Sequence, residues 1–212
     1  MLKFVSPTSK QVFEITTKPE WPSITFQTDG TGSHTWTWSI KWDNYSKNGT
    51  AQTPDNKWVL SNEIENYGGT LKVTAKCGQE SASIEVSVHG KNPTQAEAMA
   101  YLATKGETTG YDKLLEHESH FKQFRDTGLP VKSFDNGYGM GQLTTPAPNA
   151  NQVWNWKANI DGGLALFAKK IDSARTYLSQ SNRSYTTDQL KYESVCRYNG
   201  GAYHKWDEKS SA

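Results

Sequence analysis

The sequence predicts two domains: an all-β part over residues 1–91, most simply an immunoglobulin-like sandwich, and a mainly α part over residues 94–212. Three observations predict this class. Residues 34–42, HTWTWSIKW, alternate large apolar with small polar side chains, the period of a half-buried strand. Glycines and polar turns recur at short intervals through the first 90 residues, the spacing of a small sandwich. Past Asn92-Pro93 the pattern changes to alanine-rich segments with helical spacing, so the boundary falls near residues 90–93.

Taken in order, Trp36, Trp38, Ile40 and Trp42 share one strand face. Such a row fills a sandwich core, or, if exposed, forms a platform that stacks on sugars. LKVTAKC and SASIEVSV flank a polar CGQES turn and read as a hairpin. Gly30, Gly32, Gly49, Gly68 and Gly69 mark further turns. Thr94 stands three residues before Glu97, the spacing of a capping box, and Ala96, Ala98, Met99, Ala100 and Leu102 continue a helix from it. Further helices are expected over about 111–124, 159–180 and 186–197. At about 120 residues the second part is large enough to bury a core, so it is expected to fold alone.

Composition excludes several classes. Of 212 residues, 21% are charged and 34% hydrophobic, with a formal net charge of +1. That is a folded, polar-surfaced chain without the positive field that nucleic acid attracts. No apolar run approaches the ~20 residues that span a bilayer. The start, MLKFVSPTSKQVFEITT, lacks a sustained apolar stretch and does not read as a signal peptide. Action outside the cytoplasm would then need a phage particle or a dedicated secretion system, unless the chain is a fragment of a longer one. Cys77 and Cys196 form no metal-type cluster and are either one long-range disulfide or two free thiols. His117 and His120 lack a ligand-type partner, so neither a metal nor a cofactor is expected.

The chemistry turns on LLEHESHFKQF, residues 114–124. With Leu114 at zero on a helical wheel, Phe121 falls near ~340°, Tyr111 near ~60°, Leu115 near ~100° and Phe124 near ~280°. Glu118 falls inside this apolar stripe at ~40°, whereas Glu116 faces away at ~200°. A carboxylate in an apolar stripe is costly unless it is paired or protonated. Glu118 is therefore either a satisfied buried acid or a carboxyl held protonated to act as a general acid. Downstream, FDNGYGMGQLTTP places Gly137, Gly139 and Gly141 at alternate positions, which lets backbone approach a ligand closely.

Three motifs in order carry a resemblance. Glu118-Ser119, then Gly139-Met140-Gly141-Gln142-Leu143 with Pro146, then Tyr198-Asn199-Gly200-Gly201 resemble those of the soluble lytic transglycosylase and goose-type lysozyme superfamily. ANIDGGLALFAKKI, residues 158–171, resembles the family's helix between the second and third motifs. The likeness covers roughly residues 94–206 and none of the β part. It departs at Gly141 and Met140, where the family usually has methionine and leucine, and in an LPVKSFDN insert.

The resemblance implies a lysozyme-like second domain that cleaves the β-1,4 bond between N-acetylmuramic acid and N-acetylglucosamine. Glu118 would be the catalytic acid and base. Ser119, Gly139, Met140, Gln142, Tyr198 and Asn199 would bind substrate, with Gln142 and the loop backbone on the N-acetyl group. A transglycosylase needs one carboxylate. A muramidase would add a second, for which Asp135 is the candidate, although Asp135 before Asn136-Gly137 is also explained as a turn-former. Thr144 stands where goose-type enzymes carry another aspartate. Trp154 and Trp156 either stack on sugars or wedge the loop onto the next helix. The implied partner is the peptidoglycan glycan strand, met in the periplasm or at the cell wall, with the β part available for docking to a phage tail or secretion machine. The alternatives are a chitinase-like enzyme and a non-catalytic glycan-binding or structural protein.

Overall fold

The computed structural model describes residues 1–106, 108 and 110–205; residues 107, 109 and 206–212 lie outside that description. Eight strands come first: β1 (Phe4–Ser6), β2 (Val12–Ile15), β3 (Ile24–Thr28), β4 (His34–Trp42), β5 (Tyr45–Thr53), β6 (Lys57–Leu60), β7 (Gly69–Cys77) and β8 (Glu80–Gly90). They form a three-stranded sheet, β1-β3-β6, and a five-stranded sheet, β2-β8-β7-β4-β5. The β7–β8 hairpin forms as expected, pairing Cys77 with Glu80 across its turn. β2 runs parallel to β8. Alternation along β4 sends Trp36, Trp38 and Ile40 inward, where they are 0%, 6% and 0% exposed. Those indoles are core and leave no sugar platform there. Gly49, expected in a turn, lies within β5, where a Cβ would meet the Trp38 indole at 2.8 Å.

Helices follow: α1 (Gln95–Leu102), α2 (Tyr111–Ser119), α3 (Ala150–Trp154), α4 (Trp156–Leu178) and α5 (Thr187–Tyr198). The capping box at Thr94 and Glu97 is present, with both reciprocal hydrogen bonds made. α2 stops at Ser119, earlier than the expected 124, because His120 and Phe121 take positive φ. Phe124 therefore lies past the helix and turns toward the sheets.

The expected fold class needs correction. The molecule is not an all-β immunoglobulin-like sandwich followed by a mainly α lysozyme-like domain. It is a mixed fold in which helix and strand occupy near-equal shares of the described residues, 31% and 29%. The physical reason lies in the packing. Phe124, Tyr138, Val153 and Trp154 belong to the same hydrophobic cluster as Trp36, Leu71 and Val88. Gly68 and Gly90 make room for two of them. A Cβ on Gly68 would lie 2.3 Å from the Trp154 ring, and one on Gly90 would lie 2.2 Å from the Phe124 ring. Both tryptophans of NQVWNW are buried, Trp154 at 0% and Trp156 at 3% exposure, so they wedge and do not stack on sugars. The segment between α2 and α3 is not helical: it carries antiparallel bridges Phe124–Pro130, Lys132–Tyr138 and Tyr138–Leu143. Cys77 and Cys196 are free thiols.

A second cluster holds Leu102, Tyr111, Leu114, Leu115, Phe121, Met140, Ile160 and Phe167. It backs the end of α2 and the glycine loop, which is where the sequence places its chemistry.

Candidate active site

Glu118 occupies the last turn of α2, where the wheel holds for Tyr111, Leu114, Leu115 and Glu116 but not for Phe121 and Phe124, which lie past the helix. Leu114 and Leu115 are buried, while Glu116 is exposed and pairs with Lys113 at 3.1 Å. The Glu118 side chain is 21% exposed, and its carboxyl has no hydrogen-bond partner among the described residues. The nearest basic side chain is the exposed His117, whose Nδ1 lies 4.0 Å from Oε1. Of the two readings of a carboxyl in an apolar stripe, the salt-bridged one does not apply. Burial raises the Glu118 pKa above its ordinary value, His117 opposes the shift and the charge of Asp135 adds to it.

In front of this carboxyl lies a cleft of about 450 Å³, lined by Glu118, Ser133, Phe134, Asp135, Gln142, Thr144, Tyr198 and Asn199. That volume is in the usual range for a small-ligand site. The structure thus gathers five of the sequence-predicted residues: Glu118, Gln142, Tyr198, Asn199 and Asp135. Asp135 is ionised readily, because the Ser133 hydroxyl and the Gly137 amide hydrogen-bond its carboxylate and lower its pKa. One cleft therefore holds two carboxyls whose surroundings push their proton affinities in opposite directions, the arrangement acid–base catalysis uses. Tyr198 donates its hydroxyl to the Gly141 carbonyl at 3.0 Å. Burial and the neighbouring Glu118 push its phenol up to about 12, so it remains protonated.

The other three predicted residues lie behind the cleft. Ser119 donates its hydroxyl to the Met140 carbonyl at 2.8 Å and to Leu115 at 3.2 Å, tying α2 to the glycine loop. Met140 is fully buried in the second cluster. Gly139 turns the loop with φ +70°, and its carbonyl accepts from Gln142 Nε2 at 2.7 Å. These three shape the cleft from underneath and do not line it.

Two buried amides were missed by reading the sequence. Asn159 Oδ1 accepts from Gly141 N at 2.7 Å, and its Nδ2 donates to the Tyr138 and Gln152 carbonyls, both at 3.0 Å. Gln123 Oε1 accepts from Met140 N at 2.9 Å, and its Nε2 donates to Val153 O at 2.8 Å. Both side chains are fully buried, so every hydrogen bond they make counts, and together they hold the loop that presents Gln142. Asn159 is the second residue of the ANIDGG segment, a visible signal, whereas nothing in the sequence marks Gln123. At the linker, Asn92 Oδ1 accepts from Gln123 N and Phe124 N, each at 2.8 Å. The strand-to-helix connection thereby braces the same network.

No family model matches the chain, and no curated protein matches it. Among solved structures, a Bacteroides ovatus GH5 xyloglucanase in complex with a XXXG heptasaccharide is similar at 15% identity, with a TM-score of 0.27. The similarity covers 65% of this chain and 30% of that chain. A likeness that low carries no argument about fold or chemistry, so the functional reading rests on the cleft itself.

Proposed function

We propose that this chain cleaves the β-1,4 bond between N-acetylmuramic acid and N-acetylglucosamine in peptidoglycan, as a lytic transglycosylase with Glu118 as its single acid and base. The observation that carries the reading is the Glu118 carboxyl, partly buried, free of any hydrogen-bond partner among the described residues and facing a mainly polar cleft. Protonated Glu118 gives its proton to the glycosidic oxygen as the bond to C1 breaks. The resulting carboxylate takes the proton of the muramoyl 6-hydroxyl as that oxygen attacks C1, and a 1,6-anhydro ring results. Gln142 and Asn199 offer amide groups to the acetamido substituents, and Tyr198 supports the loop behind them.

Hydrolysis by a muramidase is the second reading, favoured by Asp135, an ionised carboxylate in the same cleft. There it would activate water or steady the positive charge that develops on the sugar.

Digestion of purified sacculi followed by mass analysis of the released muropeptides tests both. Anhydro-ended products are expected, with Glu118→Gln at least ~10²-fold slower, the scale of a lost general acid. Glu116→Gln should stay near wild type. Asp135→Asn should retain activity if the enzyme is a transglycosylase. Reducing-end products together with an inactive Asp135→Asn would replace it with the hydrolase. Intact sacculi after prolonged incubation with folded protein would leave a chitinase-like enzyme, detected by turnover of chitin oligomers, or a glycan-binding or structural role.

A further inference from the structure

The turn from Ser133 to Gly137 sits at the rim of the cleft and carries a side chain that the packing of the molecule does not use. Phe134 is 101% exposed, yet it stands among the cleft-lining residues with Glu118. Single exposed apolar residues are ordinary on protein surfaces, but three features set this one apart.

The backbone that carries it is closed on itself. Ser133 N donates to Gly137 O at 2.9 Å, Gly137 N donates to Ser133 Oγ at 2.9 Å, and Asn136 N donates to Ser133 O at 3.2 Å. The flanks of the turn are also anchored. Lys132 and Tyr138 bridge each other, and both hydrogen-bond the Asp43 carboxylate at the tip of the β4–β5 hairpin. Arg125 Nη2 donates to Lys132 O at 2.6 Å from the other side. Lastly, most residues that line the cleft along with Phe134 are polar, among them Ser133, Asp135, Gln142, Thr144 and Asn199. A bare aromatic face beside hydrogen-bonding groups matches a pyranose ring, which offers C–H groups on its face and polar substituents at its edge.

We infer that Phe134 is a stacking platform for one N-acetylhexosamine ring of the glycan, seated next to the bond that Glu118 protonates. The inference rests on the glycan-cleaving reading of the cleft and adds to it a residue that sets affinity. The contact is made equally in the bound substrate and in the transition state, so it acts on KM and leaves kcat alone. Because the turn fixes the backbone that carries the ring, only the two side-chain torsions of Phe134 must be ordered when the sugar arrives.

The 212-residue chain with Glu118→Gln serves as the non-cleaving parent, titrated calorimetrically with an N-acetylglucosamine hexamer and with soluble, uncrosslinked glycan strands. Adding Phe134→Ala should weaken binding of both roughly tenfold, and Phe134→Trp should restore it to within about threefold. With Glu118 present, Phe134→Ala should raise KM by about the same factor and leave kcat within about twofold. Thermal melts should coincide, since the side chain buries nothing.

Equal affinity of the parent and Phe134→Ala, or a Trp variant as weak as the Ala variant, overturns the platform. If wild-type protein still cuts sacculi in that case, the enzymatic reading stands without it. Binding that depends on Phe134 in a protein that cuts nothing keeps the platform and removes the enzyme. A parent that binds neither glycan removes both.

Discussion

The Glu118 carboxyl acquires its raised proton affinity first from burial beside Leu114 and Leu115, and further from the charge of Asp135 in the same cleft. A group that binds its proton more tightly folded than unfolded makes stability depend on pH. Below the ordinary value of 4.5 both states are protonated and Glu118 is neutral toward folding. As pH rises from there through the folded pKa, the unfolded chain ionises first and the native state loses ground. Glu118→Gln removes that loss, so the variant should be more stable than wild type at pH 7 and nearly equal to it at pH 3. Urea titrations at the two pH values check this. A stability difference that does not change between them would show that Glu118 is not held against its ionised form. The same protonation governs rate: cleavage should decline as pH rises through the raised pKa, because the acid is then spent.

At the scale of elements, the cleft wall is held by pairs that are remote in sequence. Lys132 Nζ lies 2.7 Å from Asp43 Oδ2, and each of these side chains is 25% exposed. Lys132 and the Tyr138 hydroxyl lower the Asp43 pKa below its ordinary 3.8. Asp43→Ala leaves both partners unanswered and should destabilise the protein by about 1–2 kcal/mol near neutral pH. The depressed pKa fixes the sign of its pH dependence. The contribution is fully present above 3.8 and disappears as pH falls through the lower folded value, so the two proteins should converge in acid. A difference that persists there would mean that the carboxylate charge is not what holds the wall. A similar fit occurs in α4, where a Cβ on Gly163 would lie 1.8 Å from the Tyr111 hydroxyl. That approach explains the second glycine of ANIDGG.

At the scale of the whole molecule, the strand and helical segments share the larger of two hydrophobic clusters. Trp154 packs edge-on against Trp42 at 5.6 Å and tilts against Phe124 at 6.0 Å. Trp156 Nε1 donates to Thr17 O at 2.7 Å, Tyr45 donates to Pro148 O at 2.8 Å, and Gly90 N donates to Gly128 O at 2.8 Å. Losing the packing of one such aromatic costs about 3–5 kcal/mol, and a domain's whole stability is about 5–15 kcal/mol. Residues 94–212 expressed alone would expose Phe124, Tyr138, Val153 and Trp154 together. Contrary to the expectation from sequence, the fragment should therefore lack a cooperative melt and should aggregate or bind a hydrophobic dye. A sharp two-state transition for the fragment would show that the shared cluster is dispensable.

The sequence by itself determined what local periodicity encodes. It set the inward face of β4, the β7–β8 hairpin, the Thr94 cap, the exposure of Glu116 and the shielding of Glu118. These follow from spacings of two and of three to four residues, which act within a single element. Only the tertiary structure decided that Phe124 and Trp154 enter the sheet core, that Asp43 braces Tyr138, and that Gln123 and Asn159 grip the glycine loop. Those contacts join positions far apart in the chain through shape, and no periodic pattern records which cavity a ring will fill. Asp135 was a candidate second carboxylate by resemblance alone, and only the tertiary structure brings it into one cleft with Glu118.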